Sequence, residues 1–280
     1  FKPELQARLM RDVAIEHALR DGMEHDRLQL VYQPKFVCVD QGALSAAEAL
    51  LRWVDPTLGQ VSPVDFIPVA EATGLILELD RYVALQLIRQ LAKWRDDGLT
   101  PPPVAMNVSA RSFQEERFIT HLFGCLKQYR VPCSLIQVEI TESTLVDRSS
   151  SALGNIEKLR EAGIKLAVDD FGTGYSSLAY LKRLPLAELK IDKSFVDGLG
   201  EKDEGDRAIA LAILGMAKAL GIRTVGEGVE TSSQLAWLIE NDCDFVQGYL
   251  LSKPLPLAEF TALITGSGHP HDAPSQDVVS

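Results

Sequence analysis

Short apolar runs alternate with longer amphipathic stretches along almost the whole chain. The apolar runs predict strands at residues 28–35, 44–51, 104–108, 135–141, 164–169, 186–191, 222–226 and 244–247. Between most of these runs the apolar residues recur at helical spacing, which predicts helices at residues 80–97, 116–129, 149–162, 206–220 and 231–241. A further helical pattern at residues 4–22 precedes the first strand.

This alternation of strands and helices predicts the fold class. Strands that alternate with helices are typical of a mostly parallel sheet covered by helices. About eight strands favour a closed barrel over an open doubly wound sheet, so we predict an α/β protein with a (β/α)8 TIM-like barrel. The connection between residues 35 and 44 is too short for a crossover helix. It predicts a hairpin, and hence one antiparallel strand near the N-terminus.

The predicted domain organisation has three parts. Residues 1–22 form a linker helix, residues 23–264 form the barrel domain, and the Gly-, Ser- and Pro-rich residues 265–280 form a disordered tail. No internal repeat and no interdomain linker is visible. Because the chain begins at Phe1, we expect it to be a fragment of a longer protein with further sequence upstream.

Composition narrows the class of protein. A content of 46% hydrophobic and 24% charged residues is that of an ordinary soluble globular protein. The net charge of −11 argues against binding to a nucleic-acid polymer, although metal ions can still adapt a local site to a small anionic substrate. The four cysteines are scattered without metal-ligand spacing, which favours reduced thiols. No signal peptide or membrane-spanning stretch is visible.

Two adjacent aspartates, Asp169 and Asp170, end one of the apolar runs. Neighbouring carboxylates at the end of a buried strand repel each other and lose hydration, so they need protons or cations. A hard divalent metal, or a pair of metals, meets this need.

Further polar residues fall at the ends of the other predicted strands. In a parallel barrel these ends meet at one mouth, where barrel enzymes build their sites. Taken singly, each residue could be an ordinary strand-end polar group or salt-bridge partner. Together they predict a ring of acids that needs a metal. The residues are Glu48, Asn107, Glu139, Lys190, Glu227 and Gln247.

The donor types in this ring favour Mg²⁺ or Mn²⁺ over zinc, because they are oxygens and the five histidines lie in helical or tail segments. An aspartate that bridges two such ions would suit phosphodiester hydrolysis. Lys190 could then orient the attacking water or neutralise phosphate charge. The alternative is that Lys190 forms a salt bridge with an acid such as Asp192.

The tripeptide Asp170-Phe171-Gly172 also occurs in protein kinases, where its aspartate binds metal. No kinase glycine loop or catalytic-loop motif accompanies it, so the kinase hypothesis fails. Gly172 and Gly174 could cradle a phosphate, but this short pattern is a weak signal, and a mobile loop beside the metals is the favoured interpretation.

Several motifs in their order identify a family. The sequence resembles the EAL-domain cyclic di-GMP phosphodiesterases over residues 28–260. The motifs are Tyr32-Gln-Pro-Lys, Glu48-Ala-Leu-Leu-Arg-Trp53, Asn107-Val-Ser, Glu139-Ile-Thr-Glu-Ser143, Asp169-Asp-Phe-Gly-Thr-Gly-Tyr-Ser-Ser-Leu178, Leu189-Lys-Ile-Asp-Lys-Ser-Phe-Val196, Gly226-Glu-Gly-Val-Glu-Thr231 and Gln247-Gly-Tyr-Leu.

The resemblance implies a barrel that cleaves cyclic di-GMP to linear pGpG with two Mg²⁺ or Mn²⁺ ions. One ion would be held by Glu48, Asn107, Glu139 and Asp169. The other would be held by Asp169, Asp170 and Glu227, so that Asp169 bridges the two. Lys190 would assist the attacking water.

The resemblance also implies supporting residues. Gln33, Arg52 and Gln247 would contact the substrate and its water network. Alternatively, Gln33 caps a strand end and Arg52 pairs with an acid. Glu142 would steady the loop after Asp170, a loop linked in this family to dimerisation, and we place Asp192 beside it. Glu230 either supports the site or favours a helix dipole.

Two positions depart from the usual family pattern. Gly226 stands in place of alanine, which could loosen the backbone at Glu227, and Leu251 stands in place of phenylalanine, which could alter guanine contacts. Neither removes a metal ligand. The alternative function is a catalytically silent module that binds cyclic di-GMP, although silent members typically lack a ligand.

The resemblance further implies a homodimer through the EAL domain and an upstream sensory or cyclase-like domain. It implies a cytoplasmic location for the domain itself. For the full-length protein it leaves open an anchor in the inner membrane.

Overall fold

The computed structural model of the protein describes residues 2–40, 43–146, 150–174, 181–182, 184–200 and 204–266. The strands in these residues are β1 Leu28–Val37, β2 Leu44–Asp55, β3 Gly59–Val61, β4 Val104–Asn107, β5 Ile136–Thr141, β6 Lys165–Phe171, β7 Glu188–Ile191, β8 Arg223–Gly226 and β9 Phe245–Val246. The helices are α1 Lys2–Glu24, α2 Pro63–Thr73, α3 Ile76–Asp96, α4 Ala110–Gln114, α5 Glu116–Gln128, α6 Glu142–Val146, α7 Ser150–Glu161, α8 Lys193–Asp197, α9 Glu204–Leu220, α10 Ser232–Glu240 and α11 Leu257–Ile264.

The strands close into a barrel. Its order is β1-β2-β4-β5-β6-β7-β8-β9, and β9 pairs back onto β1. The pairs from β2 to β4 and onward to β9 are parallel, as expected for strands joined through crossover helices. The fold class predicted from the sequence, an α/β TIM-like barrel, is therefore confirmed.

The strand β1 is antiparallel to both of its neighbours, β2 and β9. It forms the predicted hairpin with β2, in a register that places Gln33 opposite Glu48. A strand that the sequence did not predict, β3, pairs with the end of β2 outside the ring. The carboxylate of Asp55 stabilises the turn before β3 by accepting the backbone N–H groups of Thr57 and Leu58.

Several element boundaries differ from the predicted ones. The strand predicted over residues 164–169 runs from Lys165 through Phe171, so it includes both aspartates and one residue beyond them. The strand predicted from residue 186 begins at Glu188, and the one predicted from residue 222 begins at Arg223. Helices α2 and α11 were not predicted. Both are short, and prolines in or beside them obscure the helical period.

Apolar side chains pack in two clusters. The larger cluster joins the barrel strands to the surrounding helices. The smaller one includes Ile15 and Leu19 of α1 with Trp53 and Phe66, so the second half of α1 packs on the barrel domain. The division into a linker helix, a domain and a tail stays a prediction, and most of the predicted tail, residues 267–280, lies outside the described residues.

The four cysteines are free thiols, as the sequence predicted. Among the helices in the described ranges, none combines the length and the apolar character that crossing a bilayer requires.

Candidate active site

The polar residues predicted to ring the barrel mouth lie together. Six of them are supplied by the carboxyl-terminal half of a strand or by the residue that follows it, and such ends converge in a parallel barrel. Glu48 lies within β2, where this strand pairs with β4. Their contacts span the barrel interior, from β2 on one side to β7 on the other. The residues are Glu48 on β2, Asn107 on β4, Glu139 on β5, Asp169 on β6, Lys190 on β7, Glu227 after β8 and Gln247 after β9.

Lys190 is the centre of this cluster, and its side chain is only 1% exposed. Its Nζ lies 2.8 Å from Glu139 Oε2 and 2.8 Å from Glu227 Oε1. The same atom lies 3.1 Å from Asp169 Oδ1 and 3.3 Å from Glu48 Oε2. Burial opposes the charge on Lys190, but the surrounding carboxylates outweigh it and raise the pKa of the ammonium well above its ordinary value.

Two amides hold the carboxylate of Glu48. Asn107 Nδ2 donates to Glu48 Oε1 at 2.7 Å, and Gln247 Nε2 donates to Glu48 Oε2 at 2.7 Å. Burial opposes ionisation of Glu48, yet Lys190 and the two amide donors outweigh it and lower the pKa of this carboxyl. Glu48 is therefore a negatively charged side chain with a fixed orientation, and its oxygens are suited to bind a metal ion.

Other acids of the cluster carry raised pKa values. Burial is the main cause for Glu139, and repulsion from Glu48 and Asp169 adds to it, which brings the pKa of Glu139 to about 8. Burial also raises the pKa of Glu227 well above its ordinary value. The pKa of Asp170 rises to about 6 through burial and the neighbouring Asp169 charge. The cluster thus holds more negative charge than Lys190 alone can balance.

The carboxylates fall into two groups that share Asp169. Oxygen atoms of Glu48, Glu139 and Asp169 lie within 4.8 Å of one another, and so do those of Asp169, Asp170 and Glu227. With Lys190 charged and all five acids ionised, the net charge is −4, which two divalent cations would balance. The donors are oxygens, so the residues present fit two hard divalent metal ions.

The segment after Asp169 has a sharp, defined backbone. Asp170 adopts a φ of 53°, a left-handed conformation that is uncommon outside glycine, and its N–H donates to Asp169 Oδ1 at 3.0 Å. Glu142 Oε2 accepts the backbone N–H groups of Gly172 at 2.9 Å and Gly174 at 3.2 Å.

This contact bears on the role of the two glycines. Their N–H groups bind the carboxylate of Glu142, which takes the place that a phosphate would have in a cradle. A Cβ at Gly174 would lie 3.0 Å from Glu142, so glycine permits this close approach. The phosphate-cradle alternative therefore has no support among the described residues. The remainder of the loop, residues 175–180, lies outside the described residues.

Two of the predicted substrate-contacting residues, Gln33 and Arg52, lie on the β1–β2 hairpin. Gln33 is buried in β1 opposite Glu48, so it does not cap a strand end. The half-buried guanidinium of Arg52 donates to the carbonyl oxygen of Leu51 at 2.9 Å. Among the ion pairs of the described residues, none joins Arg52 to an acid, so the predicted alternative pairing is not observed.

Asp192 and Glu230 form contacts within the loops that follow β7 and β8. Asp192 caps α8 by accepting the N–H of Ser194 at 3.0 Å, and it does not pair with Lys190. Glu230 forms an ion pair with Lys193 at 3.0 Å, while its backbone N–H donates to Gln234 in the cap of α10. Both acids thus organise loops that flank the cluster.

A second ionic cluster at the opposite end of the barrel was missed in the sequence. Lys35 pairs with Glu188, which also accepts a hydrogen bond from Gln137 at 2.8 Å, and Arg223 lies 3.2 Å from Glu188. A signal was present, because Glu188 precedes Lys190 by two residues and so shares its face of β7. Similarly, Gln137 precedes Glu139 by two residues on β5.

A barrel with a shared-carboxylate cluster at its mouth is the architecture of a metal-dependent barrel enzyme. The family model of the EAL domain matches residues 16–254. The chain belongs to the EAL domain family, as its motifs predicted.

Comparison with individual proteins agrees with this family. Cyclic di-GMP phosphodiesterase NbdA of Pseudomonas aeruginosa is 41% identical over 258 residues, which is 92% of this chain and 33% of that protein. Cyclic di-GMP phosphodiesterase PdeR of Escherichia coli is 38% identical over 260 residues, 93% of this chain and 39% of that protein. The chain thus spans about a third of the length of these curated relatives.

Solved structures agree as well. The structure described as "PaMucR Phosphodiesterase, c-di-GMP complex" has a TM-score of 0.83 and 38% sequence identity, and the match covers 88% of this chain and 99% of that one. An EAL-domain structure of Mycobacterium smegmatis DcpA has a TM-score of 0.72 and 33% identity, covering 86% of this chain and 97% of that one.

Proposed function

We propose that this chain hydrolyses cyclic di-GMP to linear pGpG with two divalent metal ions, Mg²⁺ or Mn²⁺. The observation that carries the proposal is the membership of Asp169 in both carboxylate groups, since a shared carboxylate is what a two-metal site requires. The family and the phosphodiesterase names of its relatives support the substrate and the reaction.

Each carboxylate group would hold one ion. Glu48, Glu139 and Asp169 would bind the first with the help of Asn107, whose amide already lies against Glu48. Asp169, Asp170 and Glu227 would bind the second. When bound, such a pair of ions activates a water molecule and stabilises the leaving oxygen of a phosphodiester.

The chain's own polar residues would orient the substrate and the water. The Lys190 ammonium is held among four carboxylates, so it can hold the attacking water by a hydrogen bond and balance phosphate charge. The planar guanidinium of Arg52 can donate two parallel hydrogen bonds to a phosphate. Gln33 lies opposite Glu48 and Gln247 donates to it, so both amides lie next to this carboxylate.

Glu142, Asp192 and Glu230 would keep the loops around the metals in place. Glu142 holds the backbone at Gly172 and Gly174, directly after the proposed ligand Asp170. Glu230 and Lys193 tie the loop that follows Glu227 to α8. A homodimer through this domain, an upstream sensory or cyclase-like domain, and a cytoplasmic location with or without a membrane anchor complete the proposal. The greater length of the curated relatives supports a further domain.

The test is hydrolysis of cyclic di-GMP with Mg²⁺ or Mn²⁺, with pGpG followed by chromatography. We expect Glu48→Ala and Asp169→Asn to lose about 10²-fold or more in turnover, because a bound metal supplies several kcal/mol of transition-state stabilisation. Glu116→Gln, which alters only an exposed pair with Lys158, is the matched control and should remain active.

The outcomes separate the enzyme from a silent binding module. Binding of cyclic di-GMP without turnover by the unmodified chain would favour the module and overturn the enzyme. Normal turnover by Asp169→Asn would overturn the shared-ligand assignment while leaving the reaction intact.

A further inference from the structure

A buried acid interrupts the apolar face of helix α3. Leu79, Val83, Ala84 and Leu87 on this face are buried in the core, and Asp80 beside them is only 6% exposed. A carboxylate in such a place is costly unless it receives hydrogen bonds, so its partners indicate what it is there for.

Ser109 supplies two hydrogen bonds to the carboxylate of Asp80. The backbone N–H of Ser109 donates to Asp80 Oδ2 at 3.1 Å, and the Ser109 hydroxyl donates to the same oxygen at 2.6 Å. The Ser109 oxygen in turn accepts the N–H of Ser112 and caps α4. The acid on α3 therefore holds the turn that leads from β4 into α4.

This turn carries a proposed metal ligand. Asn107 lies two residues before Ser109, and its Nδ2 donates to Glu48 Oε1 at 2.7 Å. Between them, the N–H of Val108 donates to the carbonyl oxygen of Glu139 at 2.9 Å. The peptide that follows Asn107 is thus held to β5, and the next one is held to α3 by Asp80.

We propose that Asp80 is a positioning residue that fixes the direction of the Asn107 amide towards the metal ions, acting through Ser109. The proposal rests on the proposed function, since Asn107 has this role only in a metal-dependent enzyme. The α3 helix is anchored by its buried apolar face, so Asp80 is a rigid support. Without it, two donors of Ser109 lose their acceptor, and the turn that follows Asn107 loses its contact with α3.

The test measures Mn²⁺ binding by isothermal titration in the absence of substrate, together with Mn²⁺-dependent turnover. We expect Asp80→Ala to raise the Kd for Mn²⁺ about 10-fold or more, the usual effect of removing a group that orients a metal ligand. Asp80→Asn retains an acceptor oxygen and should restore most of the affinity. Ser109→Ala should weaken binding less than Asp80→Ala, because the backbone N–H still reaches Asp80.

Asn155→Ala is the matched control for general destabilisation. Asn155 is 2% exposed, and its side chain donates to the carbonyl oxygen of Phe113, at the other end of α4. This variant should lower the melting temperature and leave the Kd for Mn²⁺ unchanged.

An unchanged Kd in Asp80→Ala, or an equal rise in Asp80→Ala and Asn155→Ala, overturns the positioning role. If Asp80→Ala does not fold, a Kd in Ser109→Ala equal to that of the unmodified chain overturns it instead. If the unmodified chain binds no Mn²⁺, this result contradicts the proposed metal-dependent function. The positioning role, which depends on that function, is then also overturned.

Discussion

Glu188 and Lys190 lie two residues apart on β7, yet they belong to ionic clusters at opposite ends of the barrel interior. Lys190 faces four carboxylates at the mouth. Glu188 faces two cations, Lys35 and Arg223, at the other end. The mouth carries excess negative charge that external cations would have to balance, whereas the chain itself supplies the cations that surround Glu188. One strand thus serves both the site and the stability of the barrel.

The Glu188 cluster should contribute to stability. Glu188→Gln leaves the buried Lys35 ammonium without its anionic partner, and breaking a buried pair in this way typically costs about 3–5 kcal/mol. We expect a loss of this size in the free energy of unfolding, measured with urea. The matched control is Lys218→Met, which breaks the exposed pair with Asp242 and should have little effect. Equal effects of the two variants would contradict the argument.

Metal binding should release protons and tighten as the pH rises. Burial and neighbouring charge bring the pKa of Asp170 to about 6 and that of Glu139 to about 8, so both carry protons below these values when no metal is bound. A metal ligand must be deprotonated, and therefore the Kd for Mn²⁺ should fall between about pH 6 and 8. Titration calorimetry in buffers of different ionisation enthalpy measures the protons released. A pH-independent Kd with no proton release would be inconsistent with this site.

Glu142 should affect turnover more than metal binding. In Glu142→Ala the N–H groups of Gly172 and Gly174 lose their charged acceptor, and hydrogen bonds to charged groups contribute about 1.5–3 kcal/mol. None of the ligand atoms is removed, so we expect kcat to fall while the Kd for Mn²⁺ changes little. Glu142→Gln should recover part of the activity. A large change in Kd with normal kcat would show that the contact acts on the metals instead.

The packing of the core next to Leu238 should require glycine at position 226. A Cβ at this position would lie 2.6 Å from Cδ1 of the buried Leu238, so alanine forces Leu238 to move. We expect Gly226→Ala to cost about 1–3 kcal/mol of stability, the range for an overpacked core. The cost should shrink in a Leu238→Val background, as a double-mutant cycle with urea unfolding would reveal. Independent effects of the two changes would refute this explanation. The loosening of the backbone at Glu227 stays a prediction.

The sequence alone determined the architecture and the residues at the barrel mouth. Apolar runs that alternate with helical periods specify a parallel barrel, and a short connection specifies the β1–β2 hairpin, because both signals are local along the chain. Asp169, Asp170 and Glu139 could be located at the mouth for the same reason. A carboxylate that ends a strand of a parallel barrel must lie where the other strands end.

Only the tertiary structure decided which of these groups meet. Lys190 contacts Glu48 and not the nearby Asp192, and the pairing of Lys35 with Glu188 joins residues that are distant in sequence. Neither follows from a local pattern, because strand register and the closing of the barrel determine which side chains face each other across its interior. Asp80 stood at the start of the helix predicted for residues 80–97, so no local pattern in the sequence indicated its role. Its hydrogen bond with Ser109 forms only because the folded chain places α3 beside the end of β4. Hydrogen bonds between distant elements depend on tertiary packing and not on a local sequence pattern.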